Sequence, residues 1–289
     1  MLKKLNKKAR YIIISCVVIL GVFLIAWTVW DNITLTVTGI SVSSDRLPPS
    51  FSGFRIVQIS DMHNAEFGEN NKTLLKAVSD AGPDIIVITG DFVDARHTNI
   101  KVSLDFAEKA VEIAPVYYVT GNHEARLFRY DELKNGLETA GVIVLEDTSV
   151  YLERGDEKIV LLGLSDPGFT IEDGGFDEIS AMVSARLNSM LEQETVYSVL
   201  LSHRPELFET YAACGVDLIL SGHVHGGQFR LPFLGGLFAP SQGLFPKYDA
   251  GLYTKGVTNM VISRGLGNSV MPVRINNRPE IVLIELTAE

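Results

Sequence analysis

Residues 83–94, PDIIVITGDFVD, run Ile85–Thr89 without a charge into Gly90, and place Asp91 and Asp94 just beyond it. A short apolar run bounded by proline and glycine is the pattern of a strand buried on both faces. Four further stretches repeat it. FRIVQIS (54–60) leads into Asp61, VYYVTG (116–121) into Asn122 and His123, VYSVLLS (196–202) into His203, and VDLILSG (216–222) into His223. Helical periodicity lies between several of them, at about 70–81, 99–114, 128–140 and 177–192. Strands alternating with helices predict an α/β fold with a largely parallel sheet, in which the functional crevice lies beyond the carboxyl ends of the strands. Further strands are expected at 142–147, 158–165, 257–263 and 280–287. That many strands favour two sheets packed between helical layers over one open sheet. Residues 33–44, ITLTVTGISVSS, alternate with a change of phase at Gly39, which predicts a strand with a bulge there.

The expected strand ends carry the chemistry. Of the six histidines, His63, His123, His203, His223 and His225 all stand at such ends, and only His97 does not, so His97 is expected to be a surface residue. Asp61/His63 and His223/His225 are i, i+2 pairs, whose members would point the same way in an extended segment. Glycines precede Asp91, Asn122 and His223 and permit sharp turns and close backbone approach. Carboxylate, imidazole and amide oxygen together suit Mn, Fe or Zn better than a thiolate-seeking metal. There are more donors than one tetrahedral ion can use, so two divalent ions are implied, with Mn expected to support activity.

Asp61-x-His63, Gly90-Asp91-x-x-Asp94, Gly121-Asn122-His123-Glu124, His203 and Gly222-His223-x-His225 resemble, in order and separation, the five blocks of the calcineurin-like metallophosphoesterases. Residues 225–228, 263–269 and 278–280 are similar to the membrane-associated bacterial phosphodiesterase branch of that family. The resemblance implies a four-layer α-β-β-α sandwich over residues 31–289. It implies one ion held by Asp61, His63, His225 and Asp91, and a second held by Asp91, Asn122, His203 and His223, with Asp91 bridging. A water between two such ions becomes a hydroxide near neutral pH. His123, with Asn122, would contact the substrate, and His123 would protonate the leaving oxygen or stabilise phosphoryl charge. Asp94 would orient the His123 ring, the bland alternative being a turn residue. Glu124 reads as a support for a backbone turn.

Ahead of this domain, Tyr11–Trp30 is a twenty-residue stretch without a charge, long enough as a helix to span about 30 Å of hydrocarbon. Residues 1–10 hold Lys3, Lys4, Lys7, Lys8 and Arg10 and no acid. A signal peptide competes with an anchor, but the apolar stretch is long and Leu24-Ile25-Ala26 lacks the small-x-small cleavage pattern. The expectation is a single-pass anchor at 11–30, with residues 1–10 cytoplasmic and the catalytic domain across the membrane. Beyond residue 10 the chain has 35 acids against 20 bases, a formal −15. That charge opposes a nucleic-acid partner, for which phosphate neutralisation dominates affinity. Cys16 lies in the span and Cys214 in the domain, so no pairing between them is expected.

The resulting expectation is a membrane-held phosphoesterase acting on phosphodiesters or lipid-linked phosphates, including pyrophosphates that link a nucleotide to a sugar lipid. A phosphomonoesterase or phosphoprotein phosphatase on the same two-metal site is the alternative, and a non-catalytic metal-binding scaffold the third reading. No specific protein partner is indicated. Residues 226–246, GGQFRLPFLGGLFAPSQGLFP, form an apolar stretch directly after the last candidate ligand. With Leu127, Phe128 and Tyr130 they suggest a rim that accepts acyl chains or dips into the membrane, against a blander reading as loop packing.

Overall fold

The apolar runs form the central strands of two six-stranded sheets in a computed structural model that describes residues 7–171, 174–192, 195–268 and 271–289. Lys3 and Lys4 of the basic N-terminal cluster and Ser269 of the C-terminal resemblance lie outside the described residues. The first sheet contains β1 (Thr36–Ser44), β2 (Arg55–Ile59), β3 (Ile85–Thr89), β4 (Val116–Val119) and β5 (Ile143–Val144). The second contains β6 (Thr148–Arg154), β7 (Glu157–Gly163), β8 (Ser198–Leu201), β9 (Leu218–Ser221), β10 (Gly251–Lys255) and β11 (Thr258–Ile262). The last strand, β12 (Glu280–Ala288), returns to the first sheet between β1 and β2, giving the orders β1-β12-β2-β3-β4-β5 and β10-β11-β9-β8-β7-β6. β2 to β5 run parallel, as do β7, β8, β9 and β11, so the carboxyl ends within each set share one edge.

Three cores separate four layers. Between the sheets, Ile56, Val87 and Val119 meet Leu161, Leu201 and Leu220. The other face of the first sheet packs Val57, Ile86 and Ile88 against α2 (Lys72–Ala81), α3 (Ile100–Ala110) and α4 (Tyr130–Thr139) through Leu74, Phe106 and Leu133. The outer face of the second sheet packs Val160, Leu200 and Ile219 against α5 (Phe176–Leu191) and α6 (Phe208–Ala213) through Val183, Leu187 and Phe208. Both faces of each central strand are therefore covered, which is why those strands read as unbroken apolar runs. The expected α/β four-layer sandwich is the observed architecture.

Three details differ from the sequence reading. β1 has no bulge: it pairs in parallel with β12 in unbroken register from Thr36 to Ser44, with Gly39 opposite Leu283. Ile40 and Val42 face inward, and Val37 is exposed. The apparent change of phase arises because Thr38 shares the inner face with Ile40 and Val42 and donates its hydroxyl to Glu280 Oε2 at 2.6 Å. Neither β6 nor β10, the edge strands of the second sheet, was expected: β6 has only Leu152 buried and is formed by a hairpin across Gly155 and Asp156 onto β7, and β10 buries no residue and pairs with β11. Finally, the apolar segment continues as one 27-residue helix, α1 (Lys7–Ile33), past the boundary expected at residue 31. Its apolar residues are not covered by the domain, and Asp31, in the last turn, is buried against it. Neither cysteine is in a disulfide.

Leu220 is wholly buried between the sheets, and truncating such a side chain leaves a cavity. Leu220→Ala is expected to lower unfolding stability by about 2–5 kcal/mol in chemical denaturation. A loss under about 1 kcal/mol would contradict a tightly packed inter-sheet core.

Candidate metal centre

Asp61, Asp91, Asn122, His203 and His223 follow the carboxyl ends of β2, β3, β4, β8 and β9, and all are buried. The ends are zipped together through main chain: Asp61 N–H donates to Gly90 O at 3.0 Å and His63 N–H to Asp91 O at 3.0 Å. The i, i+2 pairs do not converge by extended alternation, as the spacing suggested. Asp61, His63, Asp91, His223 and His225 all have positive φ, between 46° and 72°. That region is sparsely used by residues with a Cβ, and such strain collects at functional sites. These turns bend each segment so that its donors face inward.

Glycines make the closeness possible. A Cβ on Gly121 would lie 2.3 Å from Asp91 Oδ1, and one on Gly222 would lie 2.3 Å from Asp61 Oδ2. Glu124 then fixes the arrangement. Its buried carboxylate accepts the main-chain N–H groups of Gly121 (2.7 Å), Asp91 (2.8 Å), Phe92 (2.8 Å) and Val93 (3.2 Å), tying the loop after β3 to the loop after β4. This is the turn support read from the sequence, extended to two loops.

Two groups of donors share one oxygen. His63 Nε2 and His225 Nε2 stand 3.2 Å apart, and Asp61 Oδ1 lies 3.5 Å from His225 Nε2. His203 Nε2 and His223 Nδ1 also stand 3.2 Å apart. Asp91 Oδ1 accepts the N–H of His123 at 2.8 Å. Its Oδ2 lies 3.5 Å from His63 Nε2 and 3.3 Å from His203 Nε2. Among the described residues, the buried Asn122 Oδ1 has no hydrogen-bond partner. Facing imidazole nitrogens, a shared carboxylate oxygen and an unsatisfied amide oxygen fit divalent cations, whose ligand atoms would converge in this way. Surrounding bonds orient the donors: His203 Nδ1 pairs with Thr89 O at 2.8 Å, leaving Nε2 for the site, and Ser60 Oγ donates to Asp61 Oδ2 at 2.6 Å.

Burial pushes the His63 imidazole down to about 3, and those of His223 and His225 well below their ordinary value, so these rings are in the neutral, ligating form. Burial also opposes charge on His203 and Asp91, but their attraction prevails, raising His203 to about 10 and holding Asp91 well below the usual carboxylate range. Asp61 is pushed up to about 6, first by burial and further by repulsion from Asp91.

His123 borders the same cluster, its ring centroid 4.4 Å from that of His63. Its Nδ1 accepts the N–H of Ala95 at 3.0 Å, whereas Asp94 Oδ1 stands 3.9 Å away and instead accepts the N–H groups of Arg96 (2.7 Å) and His97 (3.1 Å). The ring thus takes a main-chain N–H, and Asp94 Oδ1 caps the turn at Arg96 and His97 while remaining beside His123. Asp94 Oδ2 also lies 3.8 Å from His63 Nδ1. His97 is exposed, as expected.

A cavity of about 220 Å³ opens beside the cluster, lined by Asn122 and His123 together with Arg96, Arg126, Arg204, Phe238 and Met271. The three arginines were missed by the sequence reading, because each is a single basic residue in an acidic domain. Arg204 is held in a two-point pair with Asp166 at 2.6 and 2.9 Å. Glu206 was missed too. It is half-buried 3.9 Å from His223 Nε2, and desolvation pushes its carboxyl up.

The calcineurin-like phosphoesterase family model matches residues 54–227. The uncharacterized metallophosphoesterase YkuE of Bacillus subtilis is 30% identical over 251 residues, covering 85% of this chain and 83% of its own. Phosphodiesterase YaeI of Escherichia coli is 28% identical over 243 residues, covering 81% of this chain and 82% of its own. Among solved structures, TT1561 of Thermus thermophilus shares the fold, with a TM-score of 0.51 at 14% identity over 74% of this chain and 90% of that one. The chain belongs to the calcineurin-like phosphoesterase family, and its clustered carboxylates and imidazoles could hold a divalent metal.

Glu124→Gln replaces one acceptor oxygen with an amide that faces N–H donors. It is expected to lower stability by about 3 kcal/mol and to weaken divalent-cation binding at least tenfold, read by thermal unfolding and by calorimetric titration with Mn²⁺. Unchanged cation affinity would show that the clamp does not set the site.

Proposed function

We propose that this chain is a membrane-anchored phosphodiesterase that works with two divalent cations and acts on amphiphilic, lipid-linked phosphoesters. The observation that carries the two-cation reading is Asp91 Oδ2, which lies within 3.5 Å of a nitrogen from each imidazole pair. Asp61, His63, His225 and Asp91 would hold one cation, and Asp91, Asn122, His203 and His223 the other. Bound there, Mn, Fe or Zn supplies Lewis-acid charge and a nucleophile at neutral pH. Mn²⁺ is expected to support activity.

The protein's own groups do the rest. Asn122 and Arg204 flank the cavity, where an amide and a guanidinium orient phosphoryl oxygens and stabilise the charge that develops on them. His123 acts on the leaving group. Because its Nδ1 accepts from Ala95, its proton sits on Nε2, the nitrogen that would donate to a departing alkoxide. Asp94 holds the loop that carries Ala95 in place. The name of the Escherichia coli relative, a phosphodiesterase, supports the diester preference.

The reading of α1 rests on length and composition. Its 27 residues reach about 40 Å, enough to cross a bilayer. Lys7, Lys8 and Arg10 precede its apolar run, which by the positive-inside rule keeps the N-terminus cytoplasmic and the domain on the opposite side.

The test is hydrolysis of a chromogenic phosphodiester and the matching monoester by the full chain in detergent, after chelation and after restoring Mn²⁺. Diester turnover that vanishes with chelator and returns with Mn²⁺ is expected. Turnover of the monoester alone would replace this reading with a phosphatase. His123→Ala is expected to keep its metal content and lose about 10²- to 10⁴-fold in kcat. Asp91→Ala is expected to lose both cations. If His123→Ala lost metal in step with activity, the proton-donor role would fall.

A further inference from the structure

The end of α1 is locked to the domain. Asp31 Oδ1 accepts Arg278 Nε at 2.8 Å, and Asp31 Oδ2 accepts the N–H of Asn277 at 3.3 Å. Asn32 Oδ1 accepts the N–H of Arg274 at 2.8 Å, while its Nδ2 donates to Arg274 O at 2.8 Å and to Thr28 O within the helix at 2.7 Å. The Arg278 guanidinium lies 4.0 Å over the Trp30 ring. An anchor joined by a loose linker would need none of these contacts.

The segment that receives the helix also borders the metal centre. Asn277 Nδ2 donates to His225 O at 2.7 Å. The fully buried Arg274 donates to Arg264 O at 2.8 Å and to Gly267 O at 2.5 Å, and its Nη2 lies 3.3 Å from His225 Nδ1. On its other side, Ile275 O accepts the N–H of Arg230 at 3.0 Å, which sets the segment beside a small hairpin, Arg230–Leu231 paired with Gly235–Gly236. The tip of that hairpin is Phe233 and Leu234, and Phe233 is fully exposed. A second ribbon, Phe238–Ala239 with Gly243–Leu244, leaves Leu244 and Phe245 exposed. Single exposed apolar residues are ordinary, but several on adjoining ribbons, at the tip of the first and along the return strand of the second, mark a contact surface. Of the three residues read as partners for this rim, Phe128 is fully exposed, Leu127 is buried, and Tyr130 is half-buried with its hydroxyl bonded to Glu146.

The geometry points to a bilayer as the occupant of this surface. We infer that Phe233, Leu234 and Phe245 sit in the membrane interface beside the emerging helix, so that the metal centre opens toward the membrane and takes its phosphoester from headgroup depth. This rests on the proposed anchored esterase and specifies how it meets its substrate. Continuity carries the choice of occupant: the hairpin, the 274–278 segment and the last turn of α1 are bonded in series, and α1 is long and apolar enough to span. Charge does not drive the contact. Arg230 is paired with Asp249 at 3.0 Å, and a domain that is net acidic is repelled by anionic lipid. Seating by apolar side chains is therefore expected to persist at high salt.

The full chain, with Cys16 and Cys214 replaced by serine, would be reconstituted into phosphatidylcholine vesicles carrying Phe233→Cys, Phe245→Cys or Val257→Cys with a nitroxide label. Val257 is the control, because it lies in the turn between β10 and β11, at the opposite edge of the sheet from the metal centre. Collision with oxygen is expected to exceed collision with a water-soluble nickel chelate at 233 and 245, and to be reversed at 257. Equal water exposure at all three positions would overturn the seating. Slow collision with both reagents at 233 would mean that a second copy of the chain covers it, and would also overturn it. In a second arm, Phe233→Ser/Leu234→Ser/Phe245→Ser is expected to keep soluble-diester turnover within twofold and to lose tenfold or more on a lipid phosphodiester in the same vesicles. Equal retention of both substrates would contradict the inference. If the unmodified chain hydrolyses no diester, the esterase reading fails by itself, and label depth still decides the seating.

Discussion

The Asp91 carboxylate has its two oxygens in different environments, and the site is organised around that division. Oδ1 is taken by the N–H of His123, which fixes the plane of the group. Oδ2 is turned into the space between the two imidazole pairs. Holding an ionised carboxylate there, fully buried and beside buried Asp61 and Glu124, is unfavourable unless positive charge balances it. Attraction between Asp91 and His203 supplies part of that balance within the chain, at the cost of keeping a proton on a ring that would otherwise be a ligand. Divalent cations satisfy the same carboxylates and leave the imidazoles neutral, which is the form burial already favours in His63, His223 and His225.

The fold delivers these groups to one place because parallel strands end on a common edge, and each of the two sheets contributes. What the strands cannot do alone is aim the donors. Aiming depends on left-handed residues immediately beyond the strands, on glycines whose missing Cβ lets carboxylates approach main chain, and on Glu124 gathering N–H groups from two loops. The strain at Asp61, His63 and Asp91 is held by main-chain bonds between the loops that follow β2 and β3.

The strands carrying the site were legible because they are buried on both faces: IIVIT before Gly90 and LILS before Gly222 have no other plausible environment. The candidate ligands were legible because each sits directly after such a run. β6 was hidden because an edge strand buries little, and only Leu152 marks its inner face. The bulge read at Gly39 was an artefact of counting Thr38 as an outward residue when its hydroxyl serves Glu280. The reason given for the Asp61/His63 and His223/His225 pairings was wrong in mechanism, since extended alternation is absent there and positive φ turns the chain instead. Arg204, Glu206 and Arg274 were invisible because their meaning lies in partners distant in sequence. Asp31 and Asn32 directly follow the apolar run, and nothing near them in sequence announces that residues 274–278 receive them.

Anomalous X-ray diffraction from Mn²⁺-soaked crystals tests the central claim most directly, because it locates each cation relative to Asp91. The account predicts two Mn peaks about 3.5–4 Å apart, one on either side of Asp91 Oδ2, with the first among Asp61, His63 and His225 and the second among Asn122, His203 and His223. A single peak bound by only one of these groups, or two peaks with no shared Asp91 oxygen, would contradict it.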